Sequence, residues 1–324
     1  MWRPAPVICA LVLVGAAAPS AAAAPPQPAP PAPAAGTMSI GLQGGLATRH
    51  ARFYYRGQRV VVVGAVRPFV PGQVATLLVV RRGRVAARYR APIEPGRTAG
   101  RFVVSFTPRG SGRFRMVALH EATPQQAAFR ARSRSLEVVQ WQAGAGAHGV
   151  RVLLLQRALR SLAYATPVSG AYDGGTARAV LAFRKVNGMA RNGYASTAVY
   201  ARLFAHQGGF RLRFPRAGTH AEFDWSRQVL VLAARGRPWR IYHASSGKPS
   251  TPTVFGRFRF YRKTFGTNSH GMVDSSYFFR GYAVHGYAEV PPYAASHGCI
   301  RVPIPNALGI YRAIRIGELI FVYR

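Results

Sequence analysis

The chain has 324 residues, which is long enough for two or three domains that each bury a core of their own. Hydrophobic residues make up 49% of the sequence and aromatic residues 11%, which excludes wholesale disorder. The formal net charge is +35, from 44 basic and 9 acidic residues, so the surface should attract polyanions. No zinc-finger spacing or recognition helix carries this charge, and we therefore predict no specific nucleic-acid partner.

Residues 1–24 predict a secretory signal peptide. Arg3 gives a positive start, residues 7–14 form a short apolar run, and small residues at 16–24 offer several Ala-x-Ala cleavage sites. The apolar run is too short to cross a bilayer comfortably, although an uncleaved anchor stays open because the cleavage site is not fixed. We expect an exported protein, periplasmic or extracellular, with residues 25–36 as an extended Pro/Ala linker.

The cysteine count makes one residue informative. The chain has two cysteines, Cys9 and Cys299, and removal of the signal peptide would leave Cys299 alone. A single thiol in an exported protein cannot form an internal disulfide. Cys299 is therefore predicted to be either reactive or simply buried.

Residues 37–140 have the pattern of a β domain. Short β-branched runs at 60–66, 74–80, 85–90, 102–106 and 113–119 are separated by glycine and proline turns. Regular strand spacing without intervening helices predicts an immunoglobulin-like β-sandwich. No chemistry is visible in it, so a spacer or docking module is the prediction.

Residues 144–206 change to a helical period. Apolar residues at 152, 155, 159 and 162 lie on one helical face, and Thr176 is a candidate cap for a second helix. A third helix is predicted at 196–204. The pattern resembles the small three-helix peptidoglycan-binding domain, from which it departs at Arg184, where glutamine is usual. A helical linker domain without a ligand is the alternative.

Residues 210–324 return to β structure, with strands predicted at 228–233, 239–243, 255–261 and 318–323. A strand, a loop with Pro291 and Pro292, and a return of the chain would bring His285 close to Cys299. An imidazole beside a thiol can take its proton, stabilise a thiolate as an ion pair, and later protonate a leaving amine. Zinc is a weaker alternative for His285, His297 and Cys299, because His297 and Cys299 are closer in sequence than zinc ligands usually are.

Two segments carry a specific resemblance. The pair His285-Gly286, followed by Ser-His-Gly-Cys-Ile-Arg at 296–301, resembles the catalytic motif of the L,D-transpeptidases, the YkuD-type domain. The segment 245–253, with Gly256 and Phe258, resembles that family's substrate-side strand and loop. The resemblance implies a multidomain, mainly β protein: an N-terminal β-sandwich, a small three-helix domain and a C-terminal β-rich catalytic domain at 210–324.

The resemblance also implies residue roles. Cys299 would be the nucleophile and His285 the proton acceptor and donor, oriented by the backbone carbonyl of Gly286. The N–H groups of Gly298 and Cys299 would hold the oxyanion, with Ser296 fixing the loop and His297 as an orienting or oxyanion-side group. Further candidates concern the substrate: Arg301 is either a carboxylate anchor or an internal strut, and Tyr277 and Tyr287 either line the donor groove or belong to the aromatic core.

The implied reaction is acyl transfer on peptidoglycan without metal or organic cofactor. The thiol would cleave the bond before the terminal D-Ala of a tetrapeptide stem, and an amine of a second stem would resolve the thioester into a 3→3 cross-link. Hydrolysis by water, attachment of a protein to the wall, or a non-catalytic wall-binding module are the alternatives. Expected partners are peptide stems, glycan and anionic wall polymers, and carbapenem-type inhibitors should acylate Cys299.

Overall fold

A computed structural model describes residues 1–2 and 31–324 of the chain. Cys9, nearly all of the predicted signal peptide and half of the predicted linker therefore lie outside the described residues. Within the described part, no helix has both the length and the apolar character needed to cross a membrane.

The N-terminal region forms two β-sheets around a common core. Strands β1, β4 and β7 make a three-stranded sheet, and β2-β3-β10-β8-β5-β6 make the other, with β9 beside β8. Residues from both sheets, such as Val62, Phe102, Leu77 and Met116, fill the space between them. The strands are β1 (Thr37–Gln43), β2 (Leu46–Ala47), β3 (Ala51–Tyr55), β4 (Val60–Arg67), β5 (Val74–Arg81), β6 (Arg84–Pro92), β7 (Gly100–Phe106), β8 (Gly112–His120), β9 (Phe129–Arg132) and β10 (Ser135–Val139).

The β-rich character of this region is confirmed, and the five runs seen in the sequence coincide with β4 to β8. Its immunoglobulin-like topology stays a prediction. The flanking strands lacked a sequence signal because they are very short, as β2 is, or alternate arginine with small residues, as β9 does. Such segments are distinguished from loops only by their pairing with neighbouring strands.

The middle region contains helices α1 (Val150–Ser161), α2 (Gly174–Val186) and α3 (Thr197–Phe204). Val152, Leu155 and Leu159 of the apolar face predicted for the first helix are buried, and Leu162 is its partly buried C-cap. The predicted cap of the second helix was wrong: Asp173 is the N-cap, and its Oδ1 accepts hydrogen bonds from Thr176 N (2.7 Å) and Thr176 Oγ1 (2.8 Å). Thr176 lies inside the first turn, where its hydroxyl supports the cap.

The helical region shares its core with both neighbours. One cluster of buried residues joins Phe53 of β3, Leu155 and Phe183 of the helices, and Val231 and Ile241 of the C-terminal region. The backbone is also linked, since Ala165 N donates to Ile241 O and Ile241 N donates to Ala163 O. The helices therefore pack against both the N-terminal and the C-terminal β region.

The C-terminal region has two sheets and one helix. The order β13-β12-β11-β19-β14 forms one sheet and β15-β16-β17-β18 the other, with a core between them that includes Phe223, Phe260 and Val302. The elements are β11 (His220–Asp224), β12 (Val229–Ala234), β13 (Arg237–His243), β14 (Gly256–Arg259), β15 (Arg262–Thr267), β16 (Val273–Phe279), β17 (Tyr282–Tyr287), β18 (Ile300–Pro303), α4 (Ile304–Ala313) and β19 (Leu319–Tyr323). The predicted run at 255–261 was too long, because the chain leaves the first sheet after β14 and enters the second at β15.

Candidate active site

Strands β17 and β18 bring the predicted histidine and cysteine to one cavity. The strands run parallel with His285 opposite Arg301, and Cys299 directly precedes β18. Alternate residues of paired strands share a face, so Cys299 lies on the side of the sheet that carries His285. The cavity measures about 370 Å³ and is lined by His270, Met272, His285, Tyr287, Ser296, His297, Cys299 and Arg301.

His285 is buried, and its ring is oriented by its own backbone neighbourhood. Its Nδ1 lies 2.8 Å from the carbonyl oxygen of Gly286. Burial lowers the pKa of His285 to about 4, with the Gly286 carbonyl raising it and Arg301 lowering it further. The imidazole is therefore neutral at neutral pH: Nδ1–H donates to Gly286 O, and Nε2 is left with a lone pair that can accept a proton.

Cys299 is a half-buried thiol whose Sγ lies 3.6 Å from the carbonyl oxygen of Gly281. Burial raises the pKa of Cys299, while a hydrogen bond with the Ala283 backbone and the charge of Arg301 lower it. With a neutral imidazole and a raised thiol pKa, the resting pair is uncharged. The thiolate–imidazolium ion pair expected from the residue types is thus not the resting state, because burial disfavours both charged forms.

Ser296 holds the loop before the cysteine through hydrogen bonds of its side chain and backbone. Its buried hydroxyl donates to Cys299 O (2.6 Å) and accepts from Gly298 N (3.0 Å). Its backbone is held as well, since Ser296 N donates to Ser246 O and Ser296 O accepts from Lys248 N. The backbone around the thiol is therefore set before any substrate arrives.

Gly298 has a different role from the one expected. Its N–H already donates to Ser296 Oγ, so it does not point freely at an oxyanion. Its φ of 121° lies in the region that favours glycine, and a Cβ there would come within 2.6 Å of the Tyr282 ring. Gly298 thus permits a close turn, and the N–H of Cys299 is the remaining candidate of the predicted oxyanion pair.

Gly286 is constrained by packing. A Cβ at this position would lie 2.6 Å from Ala307 Cβ and 3.1 Å from Val273 Cβ. Glycine therefore lets helix α4 approach the strand that carries His285, and keeps the carbonyl of residue 286 where the imidazole uses it.

The segment 245–253 is hydrogen-bonded to the motif that contains Cys299. Ser245 exchanges two backbone hydrogen bonds with Arg301, and Thr253 Oγ1 donates to Gly298 O (2.6 Å) while accepting from Gly247 N (2.8 Å). Ser245 and Ser246 are fully buried. Its buried side chains therefore position the loop that carries Cys299, and its resemblance to a substrate-side loop stays a prediction.

The substrate candidates separate into two groups. Arg301 and Tyr287 line the cavity together, with the guanidinium carbon of Arg301 3.9 Å from the centroid of the Tyr287 ring. Tyr277 does not line the cavity: it is buried, with the guanidinium of Arg262 4.1 Å from its ring centroid. Of the two alternatives for Tyr277, its burial favours the aromatic core.

Two cavity residues were not predicted as site residues. His270 and Met272 come from the loop between β15 and β16, where Asn268 Oδ1 accepts from His270 N and Met272 N, both at 3.0 Å. An asparagine turn between two strands was the available cue. Among the described residues, no cluster of three His, Cys, Asp or Glu side chains is placed to hold a metal ion.

Comparison with known proteins identifies the family. A model of the YkuD L,D-transpeptidase catalytic domain matches residues 218–322, and a model of a peptidoglycan binding domain matches residues 148–203. The crystal structure of an L,D-transpeptidase (residues 123–326) from Xylanimonas cellulosilytica is 32% identical, with a TM-score of 0.53, over 57% of this chain and 98% of that one. The chain therefore belongs to the L,D-transpeptidase family and is an L,D-transpeptidase with a peptidoglycan-binding domain before its catalytic domain.

Other solved structures are more distant. An L,D-transpeptidase from Stackebrandtia nassauensis is 18% identical, with a TM-score of 0.36, over 56% of this chain and 95% of that one. The catalytic domain of the L,D-transpeptidase from E. faecium is 24% identical, with a TM-score of 0.29, over 33% of this chain and 98% of that one. No curated protein sequence matches the chain significantly.

Proposed function

We propose that Cys299 is the nucleophile of this transpeptidase and that the reaction joins two tetrapeptide stems of peptidoglycan by a 3→3 cross-link. The observation that carries the proposal is the shared cavity, in which a thiol and a neutral imidazole lie on one face of two paired strands. A base that is neutral at pH 7 can accept the thiol proton as the bond to carbon forms.

The chemistry runs in two half-reactions. In the first, Sγ attacks the carbonyl carbon before the terminal D-Ala while His285 Nε2 takes the thiol proton. The C–N bond then breaks, the proton passes to the leaving amine, and D-Ala departs from a thioester. In the second, an amine of another stem attacks the thioester carbonyl, His285 accepts a proton from that amine, and the thiol is reprotonated as it leaves.

The negative charge that develops on the attacked carbonyl oxygen has to be stabilised by a hydrogen-bond donor. Because Gly298 N–H is occupied by Ser296 Oγ, we assign this role to the N–H of Cys299, with the exposed His297 at the cavity rim as a second donor. Arg301 is the carboxylate anchor of the cavity. None of the ion pairs in the described part of the chain involves Arg301, so its guanidinium is available to a substrate carboxylate.

Location follows from the substrate. Peptidoglycan stems lie outside the cytoplasm, and we propose that the basic, Ala-rich N-terminal segment directs export. The net charge of +35 would add attraction to anionic wall polymers, which should weaken as salt rises.

The proposal is tested by products. The purified mature protein is incubated with a disaccharide-tetrapeptide, and the mixture is followed by mass spectrometry. A cross-linked dimer with loss of one D-Ala supports transpeptidation, whereas tripeptide alone shows that water is the acceptor. Cys299→Ala is the matched control: it should form neither product while still sedimenting with cell-wall sacculi. Equal product formation by Cys299→Ala would contradict the proposal.

A further inference from the structure

A second concavity adjoins the catalytic cavity, between helix α2 and the ends of strands β17 and β18. It measures about 430 Å³. Tyr287 belongs to the wall of both concavities, so the two are neighbours across one side chain. Its other walls come from two domains: Arg178 and Leu181 of α2, and Val290, Pro303 and Ile304 of the catalytic domain.

The two walls are held in fixed relation by buried hydrogen bonds. Lys185 of α2 donates from Nζ to Gln228 O and Ala244 O, both at 2.9 Å, and lies 2.7 Å from His243 Nδ1. The other ring nitrogen of His243 lies 2.8 Å from Val290 O, in the wall of the concavity. The cleft is therefore a preorganised part of the fold, since its walls need no ordering when a ligand enters.

A second contact fixes the same wall from the helical domain. Arg191 donates to Pro292 O at 2.9 Å and to Ser226 O at 2.8 Å. Pro292 lies in the loop that leads from β17 to the catalytic motif. The helical domain thus positions the loop on which the reactive thiol depends.

Arg178 has a guanidinium without a complete set of partners. Its Nε is buried and has no hydrogen-bond partner among the described residues. Asp173, on the same helix, directs Oδ1 to Thr176. The ion pairs found in residues 31–324 do not include Arg178. Because this Nε is closed to solvent, a carboxylate in the cleft would be bound by the terminal nitrogens of the guanidinium, a group shaped to bind carboxylates.

The spacing fits a peptide. Four residues of strand at about 3.3 Å each place Pro303, in the cleft wall, about 13 Å along the strand from Cys299. The cleft begins nearer than that, because Tyr287 lines both concavities, and a stem whose reacting group lies at Cys299 carries free carboxylates within one or two residues of that group.

We propose that this interdomain cleft is a second stem subsite, in which Arg178 holds a free carboxylate of a peptidoglycan stem whose reacting group lies at Cys299. The inference rests on the proposed function and adds to it a specificity-determining residue outside the catalytic domain. Donor and acceptor stems both carry such carboxylates, and the experiment distinguishes them.

The test uses the full-length enzyme and the variant Arg178→Met, which keeps an apolar stem of similar length and removes the charge. The KM for donor is measured by D-Ala release, and the KM for acceptor by dimer formation at saturating donor. We expect the KM for one of them to rise about ten- to a hundred-fold, the loss expected for a charge-assisted hydrogen bond. The stem whose KM rises is the one held in the cleft. Acylation by a carbapenem, which has no stem, should be unchanged.

Three controls keep the outcome decisive. Arg157→Met, at an exposed position on α1, should leave both KM values unchanged, and Arg178→Lys should recover part of the lost affinity. A stem with amidated carboxylates should have a raised KM with the wild type, and Arg178→Met should not raise that KM any further. Unchanged KM values in Arg178→Met, or an equal loss of carbapenem acylation, would overturn the cleft proposal. A wild type that turns over neither stem would instead overturn the proposed function.

Discussion

Arg301 lies over the ring of Tyr287, with 3.9 Å between its guanidinium carbon and the ring centroid, and both residues face the cavity of Cys299. The stack fixes the cation without neutralising it. The charge acts on both groups of the proposed reaction, since Arg301 lowers the pKa of His285 and of Cys299.

The first prediction concerns pH. Because His285 must be neutral to accept the thiol proton, the rate of carbapenem acylation should be flat around neutrality and fall as pH drops through about 4, the pKa of His285. Arg301→Met should move this acid limb to higher pH, because the pKa of His285 rises when the cation is removed. It should also weaken stem binding by about tenfold or more through the lost carboxylate contact.

The matched control is Arg262→Met. Arg262 also stacks on a tyrosine, Tyr277, but does not line the cavity. Stopped-flow measurement of acylation between about pH 3.5 and 8 would compare Arg301→Met with Arg262→Met, since this range extends to either side of the pKa of His285. An acid limb that stays in place in Arg301→Met would contradict the electrostatic role.

The second prediction concerns the catalytic loop. Ser296→Ala leaves Gly298 N–H and Cys299 O without their buried partner, which should cost about 1–3 kcal/mol of unfolding free energy. Ser276→Ala is the control, because Ser276 Oγ is buried and has no partner among the described residues. Urea unfolding should separate the two variants clearly, and equal midpoints would show that the Ser296 hydroxyl does not hold the loop.

The third prediction concerns the turn before the thiol. Gly298→Ala places a Cβ 2.6 Å from the Tyr282 ring at a φ of 121°, so we expect a loss of about 1–3 kcal/mol and much slower acylation. Gly309→Ala, in helix α4 with open space around it, should instead stabilise the protein by about 0.5–1 kcal/mol. Thermal unfolding and acylation rates measure both. Normal acylation by Gly298→Ala would refute the constraint.

The fourth prediction concerns the domain interface. Burial, assisted by the charge of Arg191, lowers the pKa of Lys185 well below its usual value of 10.5. The unfolded chain therefore holds this proton more tightly than the folded chain, and the free energy of unfolding should rise with pH toward 10.5. Lys185→Met should lack this rise when the difference from wild type is followed between about pH 7 and 10. If the difference in unfolding free energy between wild type and Lys185→Met did not change with pH, Lys185 would have the same pKa in the folded and the unfolded chain.

The sequence predicted the parts of the fold that have a strong local period. The five central strands of the N-terminal region and the helix faces at 152–162 and 179–183 follow directly from apolar spacing. Short strands such as β2, and β18 next to the thiol, depend on pairing with distant strands and have no such signal.

For the candidate site as well, some features could be predicted from the sequence and others could not. The contiguous motif at 296–301 predicted that Ser296 lies beside Cys299, because adjacent residues keep their relation in any fold that holds the loop. His285 lies outside that run, and its approach to Cys299 was predicted from a strand, a loop and a return of the chain. The occupied N–H of Gly298, the exclusion of Tyr277 and the inclusion of His270 depend on side-chain packing across strands, which sequence spacing does not report.

The central claim is that Cys299 carries the acyl group between two stems. The most direct measurement is to quench the enzyme with acid during turnover of a disaccharide-tetrapeptide and to locate the adduct by peptide mass mapping. The account predicts a tripeptide-stem adduct on the peptide that contains Cys299, present in wild type, absent in Cys299→Ala and consumed when acceptor is added. An adduct on another residue, or cross-linked product from Cys299→Ala, would contradict it.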